Sequence, residues 1–127
     1  FDVGHGAGSF RYEVAQRAIE QGFLSDIIST DLHTGNINGP VYDLPTTLSK
    51  FLHLGLSIEE VVEKSTIRAA EAIGRERELG HLKIGTVADL AVFDLIDGRF
   101  EFCDTHGTSF IGNQKLQPYL TIRKGKL

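Results

Sequence analysis

The sequence has 127 residues, of which 41% are hydrophobic and 24% charged, and its mean hydropathy is −0.08. This composition is typical of a chain that buries a core, and it excludes a disordered tail. The net charge of −4 leaves no basic surface for nucleic acid. No apolar run approaches the roughly 20 residues that span a bilayer, so we expect no membrane partner.

A single cysteine, Cys103, excludes an internal disulfide and indicates a cytoplasmic location. Its neighbours alternate between apolar and polar residues as in a strand, which favours a structural thiol over a nucleophile. The sequence contains no methionine and begins within a strand-like pattern. We therefore expect the C-terminal part of a longer chain.

The first part of the sequence alternates between strands and helices. "FDVGHG" predicts a short strand, and Ser9 is a candidate N-cap for a helix that ends before Gly22. The β-branched run "DIIST" predicts a second strand, which completes a βαβ unit. After a loop rich in Gly and Asn, helices are predicted from near Pro45, from the capping box "SIEE" and through "TIRAAEAIG".

The later part of the sequence has the alternating pattern of strands. "HLKIGTVADLAVFDLIDGRFEFCDTHG" carries turn signals at Gly85 and at the "DG" pair that begins at Asp97. "PYLTIRKGKL" predicts one more strand after Pro118. We therefore predict two units, an α/β unit over residues 1–78 and a small β layer over residues 79–127.

Two polar side chains follow the predicted strands of the βαβ unit. His5 lies after the first strand, in "GHG", and Asp31 ends the second. Because ligands bind outside the carboxyl ends of parallel strands, we expect both residues on one rim. From the residues alone, Asp31 is a metal ligand, a proton acceptor or a turn cap, and His5 either faces a ligand or makes a loop hydrogen bond.

A second histidine lies close to the candidate carboxylate. His33 follows Asp31 by two residues, so on an extended strand end both side chains would project to the same side. His33 is therefore a candidate substrate contact, with a solvated loop histidine as the alternative. The loop "GNINGPVYDLP" either walls a pocket through Asn36 or Tyr42, or builds the turns before a helix.

Four segments resemble the closing part of enzymes of the amidohydrolase superfamily: "FDVGHGAGSF", "ISTDLH", "GPVYDLPTTLSK" and "LGHLKIGTVADLAVFDL". The resemblance is greatest to the deacetylase branch, which is related to dihydroorotases and sometimes labelled adenine deaminase. It covers nearly the whole chain. It implies the last β/α units of a (β/α)₈ barrel over residues 1–78, followed by a segment of a composite β-sandwich over residues 79–127.

The resemblance also implies a reaction. In such enzymes one or two divalent metals, usually zinc, lie in the barrel, and the aspartate that ends the eighth strand binds the metal and shuttles the proton of the attacking water. Asp31 matches that aspartate, and His5 resembles the substrate-facing histidine of related deacetylases. The implied activity is hydrolysis of an amide or ester of a small molecule. The alternatives are a nucleobase deaminase, a dihydroorotase-type cyclic amidase and a non-catalytic association module.

The other metal ligands of this superfamily are an H-x-H pair, a lysine and two further histidines. The segments that would carry them are not in this sequence, and a complete (β/α)₈ barrel takes roughly 250 residues. We therefore expect activity in a longer parent protein and none in this chain alone. We also expect an N-terminal half or a homo-oligomer partner to cover the open edge of "DIIST".

Overall fold

The structure, a computed structural model, describes residues 1–127. Its elements follow the order β1 (Asp2–Gly4), α1 (Tyr12–Glu20), β2 (Ile27–Ser29), α2 (Leu44–His53), α3 (Ile58–Ser65), α4 (Ile67–Ala72), β3 (Leu90–Cys103) and β4 (Ser109–Ile122). The mixed α/β class predicted from the sequence is confirmed. None of the four helices combines the length and the apolar character that a bilayer crossing needs.

The strands β1 and β2 form a parallel pair that α1 connects, as the sequence predicts. Gly4 lies opposite Ser29 at the end of the pair. The ladder continues beyond the strands, because the N–H of His5 donates to Ser29 O at 3.2 Å and the N–H of Gly6 donates to Thr30 O at 3.0 Å. The segments that follow the two strands therefore stay side by side.

The start of α1 differs from the prediction. Arg11, not Ser9, is the N-cap, and its side chain makes no capping hydrogen bond. Phe10 stays outside the helix because Thr105 donates to its carbonyl oxygen through both the N–H and the hydroxyl group. The ring of Phe10 is buried, at 2% exposure. The helix ends as predicted, with Gly22 at φ 77°.

The helix α2 begins near Pro45, as predicted, and α3 begins at the predicted capping box; the N-cap of α2, Asp43, is seen only in the structure. Asp43 accepts the N–H of Thr46 at 2.6 Å, and a proline occupies the first turn of α2. Ser57 and Glu60 form the reciprocal capping box of α3. These local contacts satisfy backbone donors that a helix start leaves free.

The hydrophobic core surrounds α2, in which residues 45–51 are all buried. The core cluster comprises Phe10, Ile28, Leu48, Phe51, Leu56, Val61 and Leu116. Ser49 joins α2 to β4, because its hydroxyl oxygen accepts the N–H of Leu116 at 2.9 Å. The βαβ unit, the helices and the hairpin thus share one core, and the division at residue 78 stays a prediction.

The strands β3 and β4 form a long antiparallel hairpin, each 14 residues in length. The turn predicted at Asp97 is wrong: the strand continues through the "DG" pair, and the register shifts between Asp97 and Phe100. The pair therefore belongs to a bulge. The prediction of a strand only after Pro118 is also wrong, since Pro118 lies inside β4, opposite Phe93.

The turn of the hairpin lies at residues 104–108 because Asp104 organises it. The carboxylate accepts the N–H groups of His106 at 2.8 Å and Thr108 at 2.9 Å, and that of Tyr12 at 3.2 Å. Burial is the largest single influence on the pKa of Asp104 and raises it, but these three donors outweigh it and hold the pKa below its usual range. Asp104 thus joins the hairpin turn to the start of α1.

Asp104→Asn should destabilise the protein that contains this chain, because it removes the acceptor for Tyr12. We expect the free energy of unfolding to fall by about 1–3 kcal/mol near pH 7. Since the pKa of Asp104 is lower in the folded than in the unfolded chain, its contribution is present above about pH 4 and is lost as the pH falls through the folded-state pKa. Urea unfolding should therefore show the wild type and the variant converging toward acid pH.

The exposed Asp94 offers a control, since its side chain makes no hydrogen bond or ion pair. Asp94→Asn should leave the free energy of unfolding within about 0.5 kcal/mol of the wild type. If Asp104→Asn loses no more free energy of unfolding than Asp94→Asn does, the carboxylate of Asp104 does not organise the turn.

Candidate functional site

Asp31 lies two residues beyond the end of β2, and it is exposed. Its φ of 47° is in the left-handed region, where a non-glycine residue is strained. Gly6 is the equivalent residue beyond β1, because Gly4 pairs with Ser29. A Cβ atom at Gly6 would stand 2.9 Å from Asp31 Oδ2. A side chain at residue 6 would therefore displace the carboxylate, and the positive φ of Gly6, 56°, also favours glycine at this position.

Asn36 organises the loop that follows Asp31, and it is fully buried, at 0% exposure. Its amide group donates to Asp31 O at 2.9 Å, and its side-chain oxygen accepts the N–H of His33 at 2.8 Å. Its backbone oxygen accepts the N–H groups of Gly39 and Val41. These contacts are those of a turn-building residue, and they hold Asp31 in its strained conformation.

His5 lies at the same end of the sheet, but its side chain points into the protein and is 0% exposed. Nδ1 lies 3.0 Å from Gly6 O, Nε2 lies 2.7 Å from Lys50 Nζ, and the ring stacks on Phe10 with 4.6 Å between centroids. Burial lowers the pKa of His5 to about 4, against the effect of the Gly6 carbonyl and with a contribution from the Lys50 charge. Contact between His5 and a substrate stays a prediction.

Lys50 is the residue of this region that the sequence-based predictions missed. Its side chain is 0% exposed, and Nζ also lies 2.8 Å from Pro40 O and 2.8 Å from Cys103 O. Burial lowers the pKa of Lys50 to about 8. The signal in the sequence is a single charged residue within the otherwise uncharged stretch "TTLSKFL", and it does not identify the partners.

His33 is exposed in the loop, where its Nδ1 accepts the N–H of Gly35 at 3.0 Å. The extended geometry expected between Asp31 and His33 does not form, because β2 ends at Ser29 and Asp31 has a positive φ. The two side chains are therefore not neighbours on one face of a strand. Substrate contact by His33 stays a prediction.

The residues present supply one ligand of a metal site, not a complete one. No group of three or more His, Cys, Asp or Glu side chains converges in this chain. A catalytic zinc generally has about three protein ligands and an open position. Asp31 fits one of these ligands, because its carboxylate is exposed and accepts no hydrogen bond from the rest of the chain. Further ligands would have to come from other segments.

A cavity of about 450 Å³ lies between the first turns of α2 and the hairpin. Its lining includes Tyr42, Lys50 and Arg99, but neither His5 nor Asp31. The carboxylate that could act on a ligand lies outside this cavity. We therefore place the candidate site at the carboxyl ends of β1 and β2.

Known proteins are similar to this chain in sequence and in fold. The profile of the amidohydrolase family matches residues 11–127. A deacetylase of Brucella anthropi is 42% identical over 121 residues, which are 95% of this chain and 30% of the deacetylase. A crystal structure of an adenine deaminase matches with a TM-score of 0.95 at 37% identity, over 99% of this chain and 34% of that chain. A crystal structure of a dihydroorotase matches with a TM-score of 0.90 at 39% identity, over 98% and 33%.

The chain belongs to the amidohydrolase family, as the four sequence segments indicated. It spans about a third of the length of the relatives described above. Their names describe three different activities, so membership of the family does not select one reaction.

Asn36→Ala should destabilise the loop around Asp31, because it leaves Asp31 O and the N–H of His33 without partners. We expect the free energy of unfolding to fall by about 1–3 kcal/mol, measured by urea denaturation. Asn38 lies exposed in the same loop and makes no side-chain hydrogen bond, so Asn38→Ala is the matched control. Equal stability of the two variants would refute the role of Asn36.

Proposed function

We propose that this chain is the C-terminal part of a metal-dependent amidohydrolase that hydrolyses an amide or ester bond of a small molecule, as a deacetylase does. The observation that carries the proposal is the exposed carboxylate of Asp31 at the carboxyl end of β2, held against Gly6. The 42% identity to a deacetylase over 95% of this chain supports it. Activity is assigned to a longer protein, because Asp31 alone cannot hold a catalytic metal.

Asp31 has two roles in the proposed reaction. A divalent metal held here, zinc in this proposal, would supply Lewis-acid polarisation of the scissile carbonyl and a bound water whose pKa is lowered to about 7. Asp31 would be a ligand of that metal through its carboxylate, and it would accept the proton of the attacking water and deliver it to the leaving group. Neither oxygen is used by another residue of the chain, so both are available for these roles.

The two histidines differ in how readily they reach a substrate. His33 is exposed, and its Nε2 has no partner in the chain, so it is available to a substrate group. His5 would reach a substrate only after breaking its hydrogen bond to Gly6 or to Lys50. We therefore assign the substrate contact to His33 in preference to His5.

A deaminase is the second candidate function. The observation that favours it is the TM-score of 0.95 to an adenine deaminase. Deamination and deacylation use a water nucleophile in the same way, so Asp31 keeps its two roles in either reaction. The leaving group decides between them: a deaminase releases ammonia, and a deacetylase releases acetate.

Asp31→Asn in the longer protein should lower kcat at least about 100-fold, because the amide cannot accept the proton of the water and is a weaker metal ligand than the carboxylate. Asp94→Asn, at an exposed position of the hairpin, is the control and should retain kcat. Turnover measured at equal zinc content checks this expectation. Near-normal turnover in Asp31→Asn would refute the role of the carboxylate.

Product analysis decides the reaction class. The longer protein, loaded with zinc, is incubated with acetylated amino acids, with adenine and with dihydroorotate. We expect acetate to be released from an acetylated compound, and removal of zinc by a chelator to stop the release. Release of ammonia from adenine would instead identify a nucleobase deaminase, and opening of the dihydroorotate ring would identify a cyclic amidase. A stable oligomer that binds no metal and turns over none of these compounds would favour an association module.

A further inference from the structure

Lys50 is a buried cation that the proposed reaction does not use. Its Nζ atom lies 2.7 Å from His5 Nε2, 2.8 Å from Pro40 O and 2.8 Å from Cys103 O. A lysine ammonium has three donors and no acceptor, so these three partners use all of its protons. A buried charge persists only where hydrogen bonds compensate its loss of water, and here the compensation is complete.

The contact with Lys50 determines which nitrogen of His5 carries the proton. Since the ammonium can only donate, Nε2 of His5 must accept and is therefore unprotonated. The proton lies on Nδ1, which donates to Gly6 O at 3.0 Å. His5 is thus a neutral ring with both nitrogens bonded to the protein, in agreement with its lowered pKa of about 4.

Gly6 transmits this arrangement to Asp31. Its carbonyl oxygen accepts from His5, and its N–H donates to Thr30 O at 3.0 Å. These two bonds hold Gly6 at φ 56°, where a Cβ atom on Gly6 would stand 2.9 Å from Asp31 Oδ2. The Gly6 backbone is therefore one wall of the space that the carboxylate occupies.

A second connection leads from Lys50 to Asp31 through the loop. Pro40, whose carbonyl accepts from Lys50, belongs to the loop that Asn36 organises. The side chain of Asn36 in turn donates to the backbone oxygen of Asp31. One ammonium thus holds both the segment beside the carboxylate and the loop that follows it.

We propose that Lys50 is a positioning residue for Asp31, acting through His5 and Gly6 on one side and through the Pro40 loop on the other. Lys50 touches no substrate in this proposal. His5 then belongs to the scaffold that holds the carboxylate. The effect of Lys50 on catalysis rests on the proposed function, whereas the protonation state of the His5 ring does not depend on it.

The state of the His5 ring is measured by NMR of the longer protein labelled with ¹⁵N-histidine, and the His5 signal is assigned by its loss in His5→Gln. We expect a neutral ring protonated at Nδ1 in the wild type near pH 7. Lys50→Met should remove this preference, because Nε2 loses its donor. A wild-type ring protonated at Nε2, or a charged ring, would overturn the proposal.

Turnover separates positioning from general packing. Lys50→Met should lower kcat about 100-fold and change KM less than about threefold, because a displaced catalytic group slows the chemical step. Val61→Ala removes buried methyl groups of the core but none of the Lys50 contacts, and Lys126→Met removes an exposed lysine. Both should keep kcat within about threefold of the wild type. A wild-type kcat in Lys50→Met, or an equal loss in Val61→Ala, would refute the proposal.

If Lys50→Met does not fold, two glycine variants and the protonation state of the His5 ring in the wild type test the proposal. A Cβ at Gly6 meets Asp31 Oδ2 at 2.9 Å, whereas a Cβ at Gly8 has nothing within 4 Å. Gly6→Ala should lower kcat about 100-fold, and Gly8→Ala should leave it unchanged. Equal activity of the two variants would overturn the proposal. Because the NMR signals need no substrate, an inactive wild type with the expected His5 ring counts against the proposed function alone.

Discussion

The parallel pairing of β1 and β2 is the constraint on which the candidate site depends. The pair has only three residues in each strand, but two further hydrogen bonds extend it as far as Gly6 and Thr30. This register places Gly6 next to Asp31 and leaves the carboxylate exposed. A shift of one residue would place His5 or Ala7 opposite Asp31 in place of Gly6. The geometry of the site therefore follows from the register of one short sheet.

Buried polar groups hold this sheet end in place. Asn36 satisfies the backbone around Asp31, and Asp104 fixes the hairpin turn against the start of α1. Lys50 connects the ends of the strands to the hairpin through Cys103 O. Leaving a buried polar group without its hydrogen-bond partner costs about 1–3 kcal/mol, a large part of the stability of an ordinary domain. These contacts therefore make the positions of the neighbouring segments interdependent.

Local signals in the sequence predicted most of the elements. The β-branched "DIIST", the capping box at Ser57 and the glycine after α1 each specify an element through contacts within a few residues. The predictions failed where a distant partner decides the structure. Asp104 forms the hairpin turn that the "DG" pair was expected to form, and Thr105 keeps Phe10 out of α1.

The site shows the same division between local and distant interactions. The place of Asp31 at the carboxyl end of β2 could be predicted from the sequence because a polar residue after a buried strand has a defined place in a parallel sheet. Lys50 could not be assigned a partner, because its contacts lie 45 residues away at His5 and 53 residues away at Cys103. The sequence likewise did not indicate that the ring of His5 turns inward, since burial of that ring depends on packing against Phe10 and α2.

The central claim is that the carboxylate of Asp31 binds a divalent metal at the ends of β1 and β2. Anomalous X-ray diffraction at the zinc absorption edge, from crystals of the longer protein grown with zinc, tests it most directly. The account predicts a zinc peak about 2.0–2.2 Å from an oxygen of Asp31. A zinc site elsewhere in the protein, with the Asp31 carboxylate free or bonded to other residues, would contradict it.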